Sequence, residues 1–184
     1  MRILAGSLKG KSLVYPKTCI RPTTELVRAA MFNIIGDKIK NAQVADFFAG
    51  AGSLGIEAIS RGARIVYFFE KSRLALRYLR KNLEKLDNAV IISGDCFKKI
   101  KLFKNEPFDI IIADPPYLKG LANKFIDLVL KYGILTPNGM MVIQHHKQEA
   151  IKLSQTLYDL KQKRYGETVL TIIRRENEDC CLSG

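Results

Sequence analysis

The sequence predicts an α/β fold built on one doubly wound, mostly parallel sheet, and three observations carry that expectation. Apolar runs rich in β-branched and aromatic residues recur near 43–49, 64–69, 89–92, 108–113 and 139–144. Helical patterns fill the intervals, near 52–61, 72–86, 95–102, 120–131 and 147–152, and strands that alternate with helices through short crossovers must run parallel. The chain then closes on two strand-like stretches, 154–161 and 167–174, turning around Tyr165 and Gly166, which read as an antiparallel finish. The expected sheet is therefore seven-stranded, with an antiparallel C-terminal strand.

Ahead of the alternating part, residues 2–5 and 11–15, separated by 6–10, read as a basic β-hairpin. Arg21-Pro22-Thr23-Thr24 leads into a helix from Glu25 to about Ile35, with Leu26, Ala29, Ala30, Phe32 and Ile35 as its apolar face and Gly36 as its stop. At 184 residues and 20.8 kDa, with 47% hydrophobic content, the chain reads as a single domain that buries about two-thirds of its unfolded surface. Within it, 1–20 is the hairpin extension, 21–175 the core and 176–184 a polar tail. No apolar run reaches membrane-spanning length, and the first residues are too short for a signal sequence, so the expected location is cytoplasmic.

Cys19, Cys96, Cys180 and Cys181 show no CxxC spacing and read as reduced thiols, and no metal is expected. His145 and His146 follow a strand without a carboxylate or cysteine spaced to join them, which suits a rim or structural role. Thirty Lys and Arg against 18 Asp and Glu give a net charge of +12, and residues 1–40 hold eight of the former against two of the latter. A basic N-terminal face implies a polyanionic partner.

Two segments carry the chemistry. The strand near 43–49 runs into Gly50-Ala51-Gly52-Ser53-Leu54-Gly55 and a helix, a turn at which glycines let a backbone approach a ligand. With Glu70 at the end of the next strand, Gly50, Gly52 and Gly55 match the dinucleotide fingerprint GxGxxG. Two features oppose a NAD enzyme. Asp46 puts a negative charge where a pyrophosphate would sit, and the chain is short for a second mononucleotide-binding half. S-adenosylmethionine, with its ammonium group, cationic sulfonium and ribose hydroxyls, fits Asp46 and Glu70 better.

The second segment is Asp114-Pro115-Pro116-Tyr117, which ends the apolar run of 108–113. Prolines cannot continue a ladder, so the chain leaves the sheet there in a stiff corner carrying a carboxylate, a free carbonyl and an aromatic face. Such a corner can hold a flat, amine-bearing group such as a nucleobase. Asp46, Glu70, Asp95 and Asp114 thus close four successive strands at their carboxyl ends, the edge where open parallel sheets bind ligands. Asp95 also has the position of a helix N-cap.

These segments, with Arg21-Pro22-Thr23-Thr24, Val27-Arg28, Phe32-Asn33 and Arg164-Tyr165-Gly166-Glu167-Thr168, resemble the bacterial RsmD family over nearly the whole chain. That family consists of S-adenosylmethionine-dependent 16S ribosomal RNA guanine-N2 methyltransferases. The resemblance implies a Rossmann-like class I methyltransferase fold. It also implies that Asp46, Gly50 and Gly52 line the methionine part of the cofactor, that Glu70 binds the ribose and that Asp95 and Cys96 border the adenine. Arg21, Pro22 and Thr23 would form a lid beside the cofactor. Asp114, the Pro115 carbonyl and Tyr117 would hold the guanine and Arg28 would contact RNA phosphate, within an assembling small ribosomal subunit; independently of the resemblance, the charge of the basic hairpin makes Arg2, Lys9, Lys11 and Lys17 candidate phosphate contacts. Asp-Pro-Pro-Tyr also occurs in adenine-N6 DNA methyltransferases, and a catalytically silent RNA-binding assembly protein is a further alternative. The Arg-Pro-Thr segment favours the ribosomal RNA family.

Overall fold

The computed structural model describes residues 1–16, 24–153 and 158–175. Seven strands form one sheet: β1 Gln43–Phe47, β2 Ile65–Glu70, β3 Ala89–Ser93, β4 Phe108–Ala113, β5 Leu135–His146, β6 Tyr158–Tyr165 and β7 Thr168–Arg175. Their order is β3-β2-β1-β4-β5-β7-β6. Pairings from β3 through β5 are parallel, while β7 is antiparallel to both β5 and β6, so β7 alone is reversed. This is the expected Rossmann-like sheet.

Period-two alternation sorts the strands into two cores. Val44, Val66, Ile110, Ile112 and Val142 pack with helices α1 Glu25–Ile35, α2 Ser53–Ser60 and α3 Arg73–Leu83. Ala45, Phe47, Ile111, Ala113 and Ile143 pack with α4 Cys96–Lys99, the 3-10 turn Ile100–Phe103 that continues it, and α5 Leu121–Tyr132. Both faces of the central strands are covered, which is why β4 reads from Ile110 to Ala113 as a continuous apolar run rather than an alternating one. Since β1 leads to one side of the sheet and β4 to the other, the loops after them diverge. That divergence opens a crevice at their carboxyl ends.

Four expectations need correction. The stretch 147–152 is a turn, because its backbone groups are claimed individually: Asn123 donates to the Ala150 carbonyl at 2.8 Å and accepts from Lys152 N–H at 3.0 Å. Helix α1 buries Val27, Arg28, Met31, Phe32 and Ile35, leaving Leu26 69% exposed. The N-terminal hairpin is reduced to a single antiparallel bridge, Arg2 with Ser12. Its residues turn instead toward α2, where Leu4 and Ala5 N–H donate to the Glu57 carboxylate at 2.8 and 3.1 Å and Leu8 N–H donates to Ser60 Oγ at 2.9 Å. With Ile3 and Leu13 buried in the α1–α3 core, the segment is part of that core.

The fourth concerns Arg28, which cannot reach RNA phosphate. It is fully buried, its Nε 3.7 Å from Glu57 Oε2 and its guanidinium donating to the Arg2 carbonyl. Burial, partly offset by Glu57, pushes its pKa down. Glu57, itself fully buried, also accepts from Arg61 Nε at 2.8 Å. The N-terminal segment is therefore anchored by one interior carboxylate.

Candidate active site

The crevice holds a cleft of about 530 Å³ along the carboxyl ends of β1 to β4. Glu70 ends β2 and faces it. Its Oε2 accepts from Gly50 N–H at 2.7 Å, and its Oε1 accepts from Lys71 and Ser72 N–H at 2.8 and 2.7 Å. Three of about four carboxylate acceptor positions are thereby filled, so Glu70 both fixes the glycine turn and keeps an acceptor for a ligand hydroxyl. Asp95 caps α4 by accepting from Phe97 N–H at 3.0 Å and also lines the cleft. Cys96 lines it as a neutral thiol, since burial, with the Asp95 charge adding, pushes its pKa up to about 12.

Gly50 lines the cleft, while Asp46 and Gly52 are buried and are not among its lining residues. Gly52 has φ +90, and a Cβ there would come within 2.6 Å of Leu79 Cδ1; on Gly55 it would meet Phe68 Cε1 at 2.2 Å. The positive φ at Gly52 and the Phe68 ring against Gly55 thus favour glycine at these two positions, and Gly50 is the one of the three that lines the cleft. Asp46 Oδ2 accepts from Gly55 N–H at 2.8 Å, so one of the open N–H groups in the first turn of α2 is satisfied from within the protein. Asp46 Oδ1 is buried with no hydrogen-bond partner among the described residues.

Desolvation pushes the Asp46 carboxyl up to about 8 against the Gly55 hydrogen bond, with Asp114 and Glu70 adding repulsion. Because this lies above the ordinary value of 3.8, the folded chain keeps a proton that the unfolded chain releases between about pH 4 and pH 8. Stability contributed by neutral Asp46 is therefore lost as pH rises through that window. The melting temperature of the ligand-free protein is expected to fall more steeply from about pH 5 to about pH 8 than that of Asp46→Asn. Parallel profiles would mean that Asp46 is ionised throughout.

At the end of β4, Asp114 N–H donates to the Phe47 carbonyl at 3.4 Å, and Asp114, Pro115, Pro116 and Tyr117 all line the cleft. The Tyr117 hydroxyl accepts from Gln144 Nε2 at 2.7 Å and lies 3.4 Å from Thr168 Oγ1. Its ring centroid is 6.0 Å from that of His146. His145 is structural: Nε2 is 2.7 Å from Thr171 Oγ1, and burial holds its pKa down. Arg21, Pro22, Thr23 and Lys17, with Cys19, Cys180 and Cys181, lie outside the described residues.

Several cleft residues were not anticipated from sequence. Gln144 and Thr168 come from β5 and β7, far along the chain, and no local pattern marks them. Phe48, Phe97 and Leu74 supply apolar walls. Phe48 had a local signal, as it sits between β1 and the glycine turn; its φ of +61 is a strained conformation for a bulky residue, held by edge contacts with Phe97 and Phe125. Apolar walls with carboxylates and carbonyls at the strand ends suit a ligand combining flat rings, hydroxyls and positive charge. Among the described residues no group of three or more His, Cys, Asp or Glu could hold a metal, and no helix is long and apolar enough to cross a membrane.

A seven-stranded sheet with one reversed strand and an acceptor-rich cleft at its switch point defines a Rossmann-like protein of the methyltransferase class. The chain matches the family model described as conserved hypothetical protein 95 over residues 1–174 and belongs to that family, the RsmD family. It is 36% identical over 164 residues to the ribosomal RNA small subunit methyltransferase D of Buchnera aphidicola subsp. Acyrthosiphon pisum, covering 86% of each chain. It is 33% identical to the Haemophilus influenzae protein of the same name, covering 90% of this chain and 89% of that one. Among solved structures it superposes on the putative methyltransferase yhhF from Escherichia coli with a TM-score of 0.86 at 31% identity, covering 96% and 98%.

Proposed function

We propose that this protein transfers a methyl group from S-adenosylmethionine to the exocyclic N2 amine of a guanine in 16S ribosomal RNA, acting in the cytoplasm on an assembling small subunit. The observation that carries the reading is that the Asp114 to Tyr117 corner opens on the same cleft as Glu70 and Asp95. A cofactor site and a base-holding site are thus contiguous. Similarity to proteins named ribosomal RNA small subunit methyltransferase D supports the substrate class.

The residues fit the cofactor. Glu70 retains an acceptor for ribose hydroxyls, Asp95, Cys96, Phe97 and Leu74 border a place for the adenine, and the carboxylates suit a cation. When bound, S-adenosylmethionine supplies an electrophilic methyl group on a sulfonium. The protein's own task is to make a poor nucleophile attack. Guanine N2 shares its lone pair with the ring, and accepting its two N–H hydrogens at Asp114 and the Pro115 carbonyl draws it toward tetrahedral geometry. Tyr117 offers a stacking face for a base taken out of its helix. Catalysis of this kind is positioning and electrostatic stabilisation, with one N2 proton leaving during or after attack and no covalent enzyme intermediate.

The test is incubation with labelled cofactor and either unmodified small-subunit particles or free 16S RNA, followed by nucleoside analysis. N2-methylguanosine is the expected product. Labelled N6-methyladenosine would overturn the base assignment, and no transfer to either substrate would overturn the reading.

A further inference from the structure

The net charge is concentrated in two segments. Residues 1–40 hold eight Lys and Arg against two acidic residues, and residues 71–85 hold six against one, so together they carry +11 of the +12. The remaining 129 residues are almost neutral. The second segment contains helix α3, which has no acidic residue between Arg73 and Leu83. Its buried side is Ala75, Leu76, Leu79, Asn82 and Leu83, while Arg73, Arg77, Arg80 and Lys81 are exposed. Among the described residues none of these four lies within salt-bridge distance of a carboxylate.

An ordinary solvated helix face mixes signs, because like charges three or four residues apart repel. Here the row repeats at i, i+4 and i+7 or i+8, spanning about 12 Å at 1.5 Å per residue. The fold then joins the two basic segments. Asn82, 5% exposed, accepts from Val14 N–H and donates to the Val14 carbonyl, both at 2.9 Å, and Lys11 Nζ donates to the Asn82 carbonyl at 3.3 Å. Exposed Lys9 belongs to the same N-terminal segment. At the other end, Lys71 and Leu74 line the cleft, so the row runs up to its rim.

We propose that the exposed row of α3, together with Lys9 and Lys11, is the track on which the phosphodiester backbone of the substrate RNA lies while its base occupies the cleft. This rests on the proposed function and assigns the surface that binds the nucleic acid. Unpaired cations aligned on one helix face release condensed counterions when they meet phosphates, and that release drives binding.

The experiment compares wild type, R77Q/R80Q/K81Q and a control of equal charge change, K98Q/K101Q/K104Q, whose exposed lysines lie in and after α4 beyond the opposite core. Affinity for free 16S RNA is measured against salt concentration, alongside binding of the demethylated cofactor and melting temperature. In the α3 variant the slope of log affinity on log salt should fall by roughly two to three units, at about 0.7–0.9 per phosphate. Affinity near 0.1 M salt should fall at least tenfold, with cofactor binding within twofold and folding intact. The control should keep the wild-type slope. Equal losses in both variants would reduce the effect to net charge and overturn the track, as would no loss in either. Preference of the wild type for phosphatidylglycerol vesicles over RNA would also overturn it. If wild type methylates RNA while the α3 variant binds it normally, the track fails and the function stands. If the slope behaves as expected but no base is methylated, the function fails and the track stands.

Discussion

Asp114→Ala is expected to lower methyl transfer by about 10²-fold or more while leaving affinity for the cofactor within a few-fold. On the proposed function the substitution removes an acceptor for the amine, and a group that acts chiefly in the transition state registers in the rate rather than in ligand binding. Glu70 and Asp95, the carboxylates proposed to meet the cofactor, keep their backbone partners in the variant. Single-turnover transfer and calorimetry with the demethylated cofactor separate the two effects. Transfer at the wild-type rate would reduce the Asp-Pro-Pro-Tyr corner to a turn.

Tyr117 sharpens this test. Were stacking the only role of the ring, Tyr117→Phe would be mild. In the fold the hydroxyl accepts from Gln144 and approaches Thr168, so its loss strands a buried amide and removes one constraint on the ring. Tyr117→Phe should therefore slow transfer measurably, less than Tyr117→Ala, which also forfeits a stacking surface of roughly 1–3 kcal/mol.

The largest loss of stability is expected at Glu57. Glu57→Ala should destabilise the protein by about 3–5 kcal/mol, because it leaves the fully buried Arg28 uncompensated and orphans the Leu4 and Ala5 N–H groups. For a chain of this size each kcal/mol lowers the melting temperature by about 2–4 °C, so thermal unfolding should come roughly 10 °C earlier. Glu57→Gln should sit between, since an amide oxygen still accepts a backbone N–H while the buried guanidinium loses its countercharge. Near-native melting of Glu57→Ala would mean that water or relaxation satisfies Arg28. Hydrogen exchange at Leu4 and Ala5 in the wild type provides an independent check, as these amides donate to Glu57 and should be protected.

Much of this protein was legible in its sequence, for a local reason. The strands of the parallel sheet announce themselves as apolar runs because burial on both faces leaves few polar positions in them. The corner at Asp114 is readable because proline enforces the exit from the sheet wherever the rest of the chain lies. Glu70, Asp95 and Asp114 follow from counting strand ends.

What sequence could not decide depended on partners distant in the chain. Arg28 and Leu26 sit two residues apart on one helix, and helical periodicity favours burying the leucine. Only Glu57 on α2, reaching the same interior position, makes the arginine the buried one. Gly50, Gly52 and Gly55 look alike as a fingerprint, yet the positive φ at Gly52 and the Phe68 ring against Gly55 favour glycine at two of them, and only Gly50 lines the cleft. Two of the contacts of the Tyr117 hydroxyl are with Gln144 and Thr168, brought together by the antiparallel pairing of β5 with β7. Composition likewise gave a basic chain, but the Asn82 amide is what joins its two charged segments into one face. Backbone propensity and strand periodicity act between neighbours and determined the sheet. The identity of a buried charge, a tight glycine or a surface row depends on which side chains close packing sets opposite it, and only the tertiary structure supplies them.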